Sequence, residues 1–208
     1  MITAVYQTCK KLMKSMHMEE PDAPTVLVVG PTGVSAFNIG GMTIHSTFQL
    51  GTQRTYQSLS SEKQNVLHNK LQHLHLLIID EVSMVGSQTL FDIHRRLKEI
   101  MGRSEYNESI LGGVSVLAVG DLYQLQPVKQ KYIFDPPSQI NAQLCIPLWQ
   151  HFHMHELTTI MRQKDDEMFA RVLNRIRTGC QTSEDISLLQ TTVIEQRCTA
   201  CVHHQQTD

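Results

Sequence analysis

The 208 residues contain no run of roughly 18 apolar positions, which excludes a membrane-spanning helix. The opening Met1-Ile2-Thr3-Ala4-Val5-Tyr6 lacks the basic start and apolar core of a secretory signal. Cysteine is sparse: five residues (Cys9, Cys145, Cys180, Cys198, Cys201), odd in number and scattered, suit free thiols in a reducing compartment and exclude a disulfide framework. Neither sign of charge dominates: 18 Lys and Arg stand against 20 Asp and Glu. A net charge of −2 gives no global basic field, so nucleic-acid binding requires a local site. There is no internal repeat, heptad array or low-complexity run, and 41% hydrophobic residues suffice for an ordinary core. Gly-Lys-Ser/Thr is absent too, which excludes a self-contained P-loop.

The chain is organised around Leu76-Leu77-Ile78-Ile79-Asp80-Glu81-Val82-Ser83-Met84. Four consecutive aliphatic residues suit a strand buried on both faces of a parallel sheet. Two acids follow at the strand's carboxyl end, where open α/β sheets place their ligand crevice. This is the Walker B arrangement, in which one carboxylate serves Mg²⁺ and the next polarises the water attacking a γ-phosphate. The bland alternative is a core strand running into an acidic turn.

Apolar residues at Ile2, Val5, Tyr6, Cys9, Leu12, Met13 and Met16 predict a helix over 2–17 that begins without a capping turn. Thr25–Val29 predicts a second buried strand, turning through Gly30-Pro31-Thr32-Gly33 into a helix. Gly40-Gly41-Met42-Thr43-Ile44-His45-Ser46-Thr47-Phe48 offers amides and hydroxyls to phosphates, with His45 or Phe48 to stack on a base. Composition favours the alternative, a tight loop with Phe48 in the core. A polar helix is expected over 61–72. An amphipathic helix follows on Leu90, Ile93, Leu97, Ile100 and Met101, with Arg95, Arg96 and Lys98 on its wet side.

Val114–Val119 predicts a third buried strand, ending in Gly120-Asp121 with Gln124 placed to sense a γ-phosphate. Trp149 and Phe152 flank a short helix as core plugs. His153–Leu157 predicts a fourth strand, with Arg162 just past its end able to neutralise a transferring phosphoryl group. A helix capped by Asp165 or Asp166 and striped by Met168, Phe169, Val172, Leu173 and Ile176 ends at Gly179, and a last short helix begins at Ser183. Cys198 and Cys201 with His203 and His204 hint at zinc, but a second cysteine pair is lacking and the tail reads as a frayed terminus. Strands alternating with helices imply a doubly wound parallel sheet.

Taken in order, Pro31–Ala36 with Asn38-Ile39-Gly40 and Thr43–Ser46, then Asp80–Met84, then Gly120–Val128, then Leu157 to Arg162-Gln163 resemble motifs Ia, II, III and IV of the Pif-one (petite integration frequency) family of superfamily-one DNA helicases. The variant looks closest to helicases carried by Helitron transposons. The resemblance implies an α/β RecA-like P-loop NTPase fold with helices on both faces of a parallel sheet, here without its first strand and Walker A loop. It implies a partial helicase domain over 1–190 and a disordered tail over 191–208, and hence a fragment lacking the second RecA-like domain. It implies ATP and Mg²⁺ as cofactors, single-stranded DNA as partner, 5′-to-3′ unwinding, a nuclear location, and roles in repair, recombination and telomere maintenance. Carried over, Asp80 would serve Mg²⁺, Glu81 would be the general base, Gln124 would sense the γ-phosphate and Arg162 would contact it. Pro31, Thr32, Gly33, His45 and Ser46 would line the single-strand path. The isolated chain is expected to bind ATP weakly or not at all. Its alternatives are a non-catalytic remnant that binds single strands weakly, and a different P-loop enzyme, which would not account for Thr43–Ser46 or for Gly120-Asp121 with Gln124.

Overall fold

A computed structural model describes residues 2–15, 24–51, 56–101, 109–137, 147–157 and 167–190. Aliphatic runs form the strands: β1 (Val26–Gly30), β2 (Met42–Thr43), β3 (Leu76–Ile79) and β4 (Ser115–Ala118). All pair in parallel, in the order β2-β1-β3-β4, with Val29 opposite Met42 and Ile79, and Ile79 opposite Ala118. Every strand therefore delivers its carboxyl end to the same edge of the sheet.

Side-chain alternation assigns the two faces. Val26, Val28 and Ile78 pack against Val5, Tyr6 and Cys9 of α1 (Ile2–Ser15). Val29, Leu77 and Ile79 point the other way, into the main core shared with α3 (Ile44–Phe48), α4 (Ser61–Leu71) and α5 (Ser87–Ile100). Helices on both faces and the parallel sheet agree with the expected architecture. The short α2 (Gly33–Asn38) joins β1 to β2. Trp149 and Phe152 stack at 5.1 Å beside buried Leu148 and pack on the main core, as expected.

Four expectations need correction. Leu12, read as part of the buried stripe of α1, is 58% exposed. Residues 114–119 are not a fully buried strand: Val116 and Ala118 face the core, but Ser115 and Leu117 are exposed. Burial on both faces and both edges requires two neighbours, and β4 has only β3 among the described residues. Residues 153–157 join no ladder, and their side chains lie exposed; an extended segment without a pairing partner gains no strand. Arg96, placed on the wet side of α5, is 2% exposed.

Chain contacts divide the molecule into two compact units, Met1–His153 and Met154–Asp208. In the second, α6 (Glu167–Arg177) buries Val172 and ends where Gly179 takes φ 70°. The Gly179 amide donates to Ile176 and that of Cys180 to Arg175, closing a Schellman turn. A helical segment over 183–190 follows. Thr182 and Asp185 cap it reciprocally, and the Arg175 guanidinium bonds both Asp185 carboxylate oxygens. Arg175 and the Thr182 amide together hold that carboxyl well below the usual range. The expected capping residues Asp165 and Asp166 lie outside the described residues.

Candidate functional site

The β3 ladder runs one bond past its last residue: the Asp80 amide donates to the Val29 carbonyl at 2.9 Å, so Asp80 leaves the sheet beside Gly30. Glu81 then adopts a left-handed backbone (φ 49°, ψ 49°) and turns the chain into a 3-10 turn over Val82–Met84. A left-handed conformation costs a side-chain-bearing residue roughly 1–2 kcal/mol, and such outliers gather at functional positions. Both acids are half-buried, and neither carboxylate has a hydrogen-bond or ion-pair partner among the described residues.

The third motif is tied to this turn. Val119 donates to Ile79 at 2.8 Å, and Val82 donates back to Val119 at 3.0 Å. Gly120 lies so close that a Cβ there would sit 2.7 Å from the Val82 nitrogen. Only glycine permits that approach. Beyond it, Asp121 organises a turn: its carboxylate accepts from the Tyr123 amide at 3.0 Å and its carbonyl from the Gln124 amide at 2.9 Å. Gln124 is exposed at the end of this turn, which springs from the edge that carries Asp80 and Glu81.

Pro31, Thr32 and Gly33 follow β1 on the same edge. Thr32 caps α2: its hydroxyl accepts from the Ser35 amide at 3.1 Å while the Ser35 hydroxyl accepts from the Thr32 amide at 3.3 Å. Thr43 repeats the device after β2. Its hydroxyl accepts from the Ser46 amide at 3.2 Å and donates to the Ser46 hydroxyl at 2.8 Å. The α3 turn so formed buries Ile44 and Phe48 completely and leaves His45 and Ser46 exposed. Phe48 is therefore a core residue and not a base-stacking one, and His45 remains available. From α5, Asp92 lies within electrostatic reach of His45; burial pushes its carboxyl up against the opposing influence of Gln88, Arg95, Arg96 and His45.

The four parallel strands thus bring Pro31, Thr32, Gly33, Asp80, Glu81 and the turn ending at Gln124 to one edge, with His45 and Ser46 on the turn that follows β2. Arg162 lies outside the described residues, as do Cys198, Cys201, His203 and His204. Among the described residues no group of three or more His, Cys, Asp or Glu gathers to cage a metal ion. Mg²⁺ requires no such cage, since one or two carboxylates with water and substrate phosphates hold it. The two unpartnered carboxylates of Asp80 and Glu81, hard oxygen donors at a strand end, fit that ion.

Arg96 is the feature that sequence reasoning missed. Its guanidinium donates to the carbonyls of Phe48, Gln49 and Gln57 and pairs with Glu99. A signal existed: Thr89, Ile93, Arg96 and Ile100 follow helical spacing, and all four are buried. The long cationic side chain masked a core position.

A family model described as PIF1-like helicase matches residues 4–187. The ATP-dependent DNA helicase PIF1 of Candida albicans is 32% identical over 179 residues, covering 82% of this chain and 19% of that protein. Among solved structures, Bacteroides Pif1 bound to ssDNA superposes with a TM-score of 0.62 at 31% identity, over 90% of this chain and 43% of that one. The Bacteroides Pif1 helicase in complex with ADP-AlF3 and ssDNA gives 0.59 at 32% identity, over 85% and 41%. The chain therefore spans less than half the length of each of these proteins.

Proposed function

The chain belongs to the PIF1-like helicase family, and from that premise we propose that its first 190 residues form part of the motor of an ATP-dependent, 5′-to-3′ DNA helicase that grips single-stranded DNA. The observation that carries the proposal is the common edge: four segments scattered between Pro31 and Gln124 reach it, one after each of four parallel strands. Asp80 serves the Mg²⁺ that accompanies ATP, and Glu81 takes the proton of the attacking water. Gln124 reads the γ-phosphate and Arg162 neutralises its charge in transfer. Pro31, Thr32, Gly33, His45 and Ser46 line the single-strand path. Small and hydroxyl side chains there give backbone contacts that do not depend on sequence. ATP use is supported by the ADP-AlF3 complex of the related Bacteroides protein, and single-strand binding by its ssDNA complexes. A Helitron-type origin, a nuclear location and duties in repair, recombination and telomere maintenance belong to the same proposal.

The 208 residues hold no Gly-Lys-Ser/Thr, so this chain by itself binds ATP weakly or not at all; on that observation rests the second reading, a non-catalytic remnant that binds single strands weakly. The test is direct. Anisotropy of a fluorescein-labelled oligothymidine titrated with the purified chain should rise, steeply weakened by salt, and a His45→Ala, Ser46→Ala double variant should lose most of the binding. No binding at low salt would end the single-strand reading. ATP turnover by the purified chain, abolished by Glu81→Gln, would overturn the claim of inactivity. Appending a Gly-Lys-Ser/Thr loop and a second RecA-like lobe separates the first reading from the remnant: the helicase reading expects turnover to appear.

A further inference from the structure

We propose that Arg96 is a positioning residue for the single-strand rim: its guanidinium holds the carboxyl end of α3, and so sets where His45 and Ser46 stand. The inference rests on those two residues facing the strand, as proposed above.

Helix α3 has only five residues, too few to sustain itself, because helix nucleation is unfavourable and propagation short. Its start is held by the Thr43 hydroxyl. Its end is closed only in part by its own backbone: Gln49 turns left-handed (φ 48°) and the Gln49 and Leu50 amides donate to the His45 carbonyl, while the carbonyls of Phe48 and Gln49 are left to an outside donor. Arg96 supplies what is missing. Its Nε donates to the Phe48 carbonyl at 2.9 Å, and Nη2 to those of Gln49 at 3.4 Å and Gln57 at 3.0 Å. Nη1 pairs with Glu99 Oε2. A cation at the carboxyl end of a helix is also favoured by the helix dipole.

The clamp is built to last. Glu99 accepts from the Tyr56 hydroxyl at 2.6 Å and the Leu59 amide at 2.7 Å, and the Tyr56 ring lies 3.9 Å beneath the Arg95 guanidinium and 4.9 Å from that of Arg96. At 2% exposure, no water can replace the fork. Lysine keeps the charge but not the planar set of five donors, so it cannot serve two separated chain segments and a carboxylate at once.

The experiment uses the 208-residue chain with Arg96→Lys and, separately, Glu99→Gln. Oligothymidine anisotropy should show the dissociation constant rising about tenfold or more for Arg96→Lys and less for Glu99→Gln. Amide hydrogen exchange should accelerate at residues 46–50 while those of 77–79 stay protected. A folded Arg96→Lys chain with wild-type affinity, or with unchanged exchange at 46–50, overturns the proposal. So does a uniform loss of protection, which marks a merely structural residue. If Arg96→Lys does not fold, Glu99→Gln decides on the same two readouts. Should the wild-type chain fail to bind oligothymidine, the single-strand reading falls by itself, and hydrogen exchange alone decides whether Arg96 holds the turn.

Discussion

The amide of Val82 donates to the carbonyl of Val119 at 3.0 Å, and this one bond joins the turn that carries Glu81 to the strand end that carries Gly120 and Asp121. It spans two strands whose pairing already aligns Ile79 with Ala118. The acidic pair and the Gly120-Asp121 turn thus share a backbone connection.

Gly120→Ala tests that connection. Its Cβ would lie 2.7 Å from the Val82 nitrogen, a backbone atom that cannot swing aside. Overpacking of this kind costs about 1–3 kcal/mol. The urea midpoint should fall accordingly, and the Val82 amide should lose exchange protection. An unchanged midpoint would mean the two turns move independently.

Acid should destabilise the first unit through His94. This buried ring accepts from the Leu111 amide at 2.9 Å, at a turn where Leu111, Gly112 and Gly113 all take positive φ. Burial, aided by Lys98 and Arg95, lowers its pKa from 6.5 to about 4. The unfolded chain therefore binds the proton more readily than the folded one between those values. Stability is full above the unfolded value and drains as pH falls below it, by roughly 2 kcal/mol at pH 5. Urea melts at pH 7.5 and pH 5 measure the loss. His94→Asn retains an acceptor and does not titrate, so its two melts should differ by much less; an equal loss in that variant would assign the acid sensitivity to other groups.

The N-terminus of α5 is capped from a distance. Gly86 has no side chain to offer, and Gln130 Oε1 accepts instead from the Thr89 amide at 3.3 Å and hydroxyl at 3.0 Å. A Cβ at Gly86 would lie 2.1 Å from that oxygen. Gln130→Ala should cost about 1 kcal/mol, the worth of a cap. Gly86→Ala should cost clearly more in the wild-type background than beside Gln130→Ala, with a coupling of about 1 kcal/mol. Strict additivity in the double-mutant cycle would refute the shared cap.

Much of this molecule was legible from residue order because its signals are local. Leu76–Ile79 announces a strand wherever it falls, and Gly179 announces a helix end. The acidic pair after β3 and the Gly120-Asp121 turn were legible for the same reason, since parallel strands send every following loop to one edge.

What local signals could not decide is who neighbours whom. His153–Leu157 has a strand's composition, but a strand exists only when another backbone pairs with it, and none does among the described residues. Arg96 has the composition of a surface residue, yet three carbonyls and a carboxylate from segments up to 48 positions away converge on it. The residue types and their spacing determined the elements and the chemistry offered at their ends. Only the tertiary structure decided that Arg96 would be buried and Leu117 left open, because burial belongs to the set of contacts a side chain meets and not to the side chain itself.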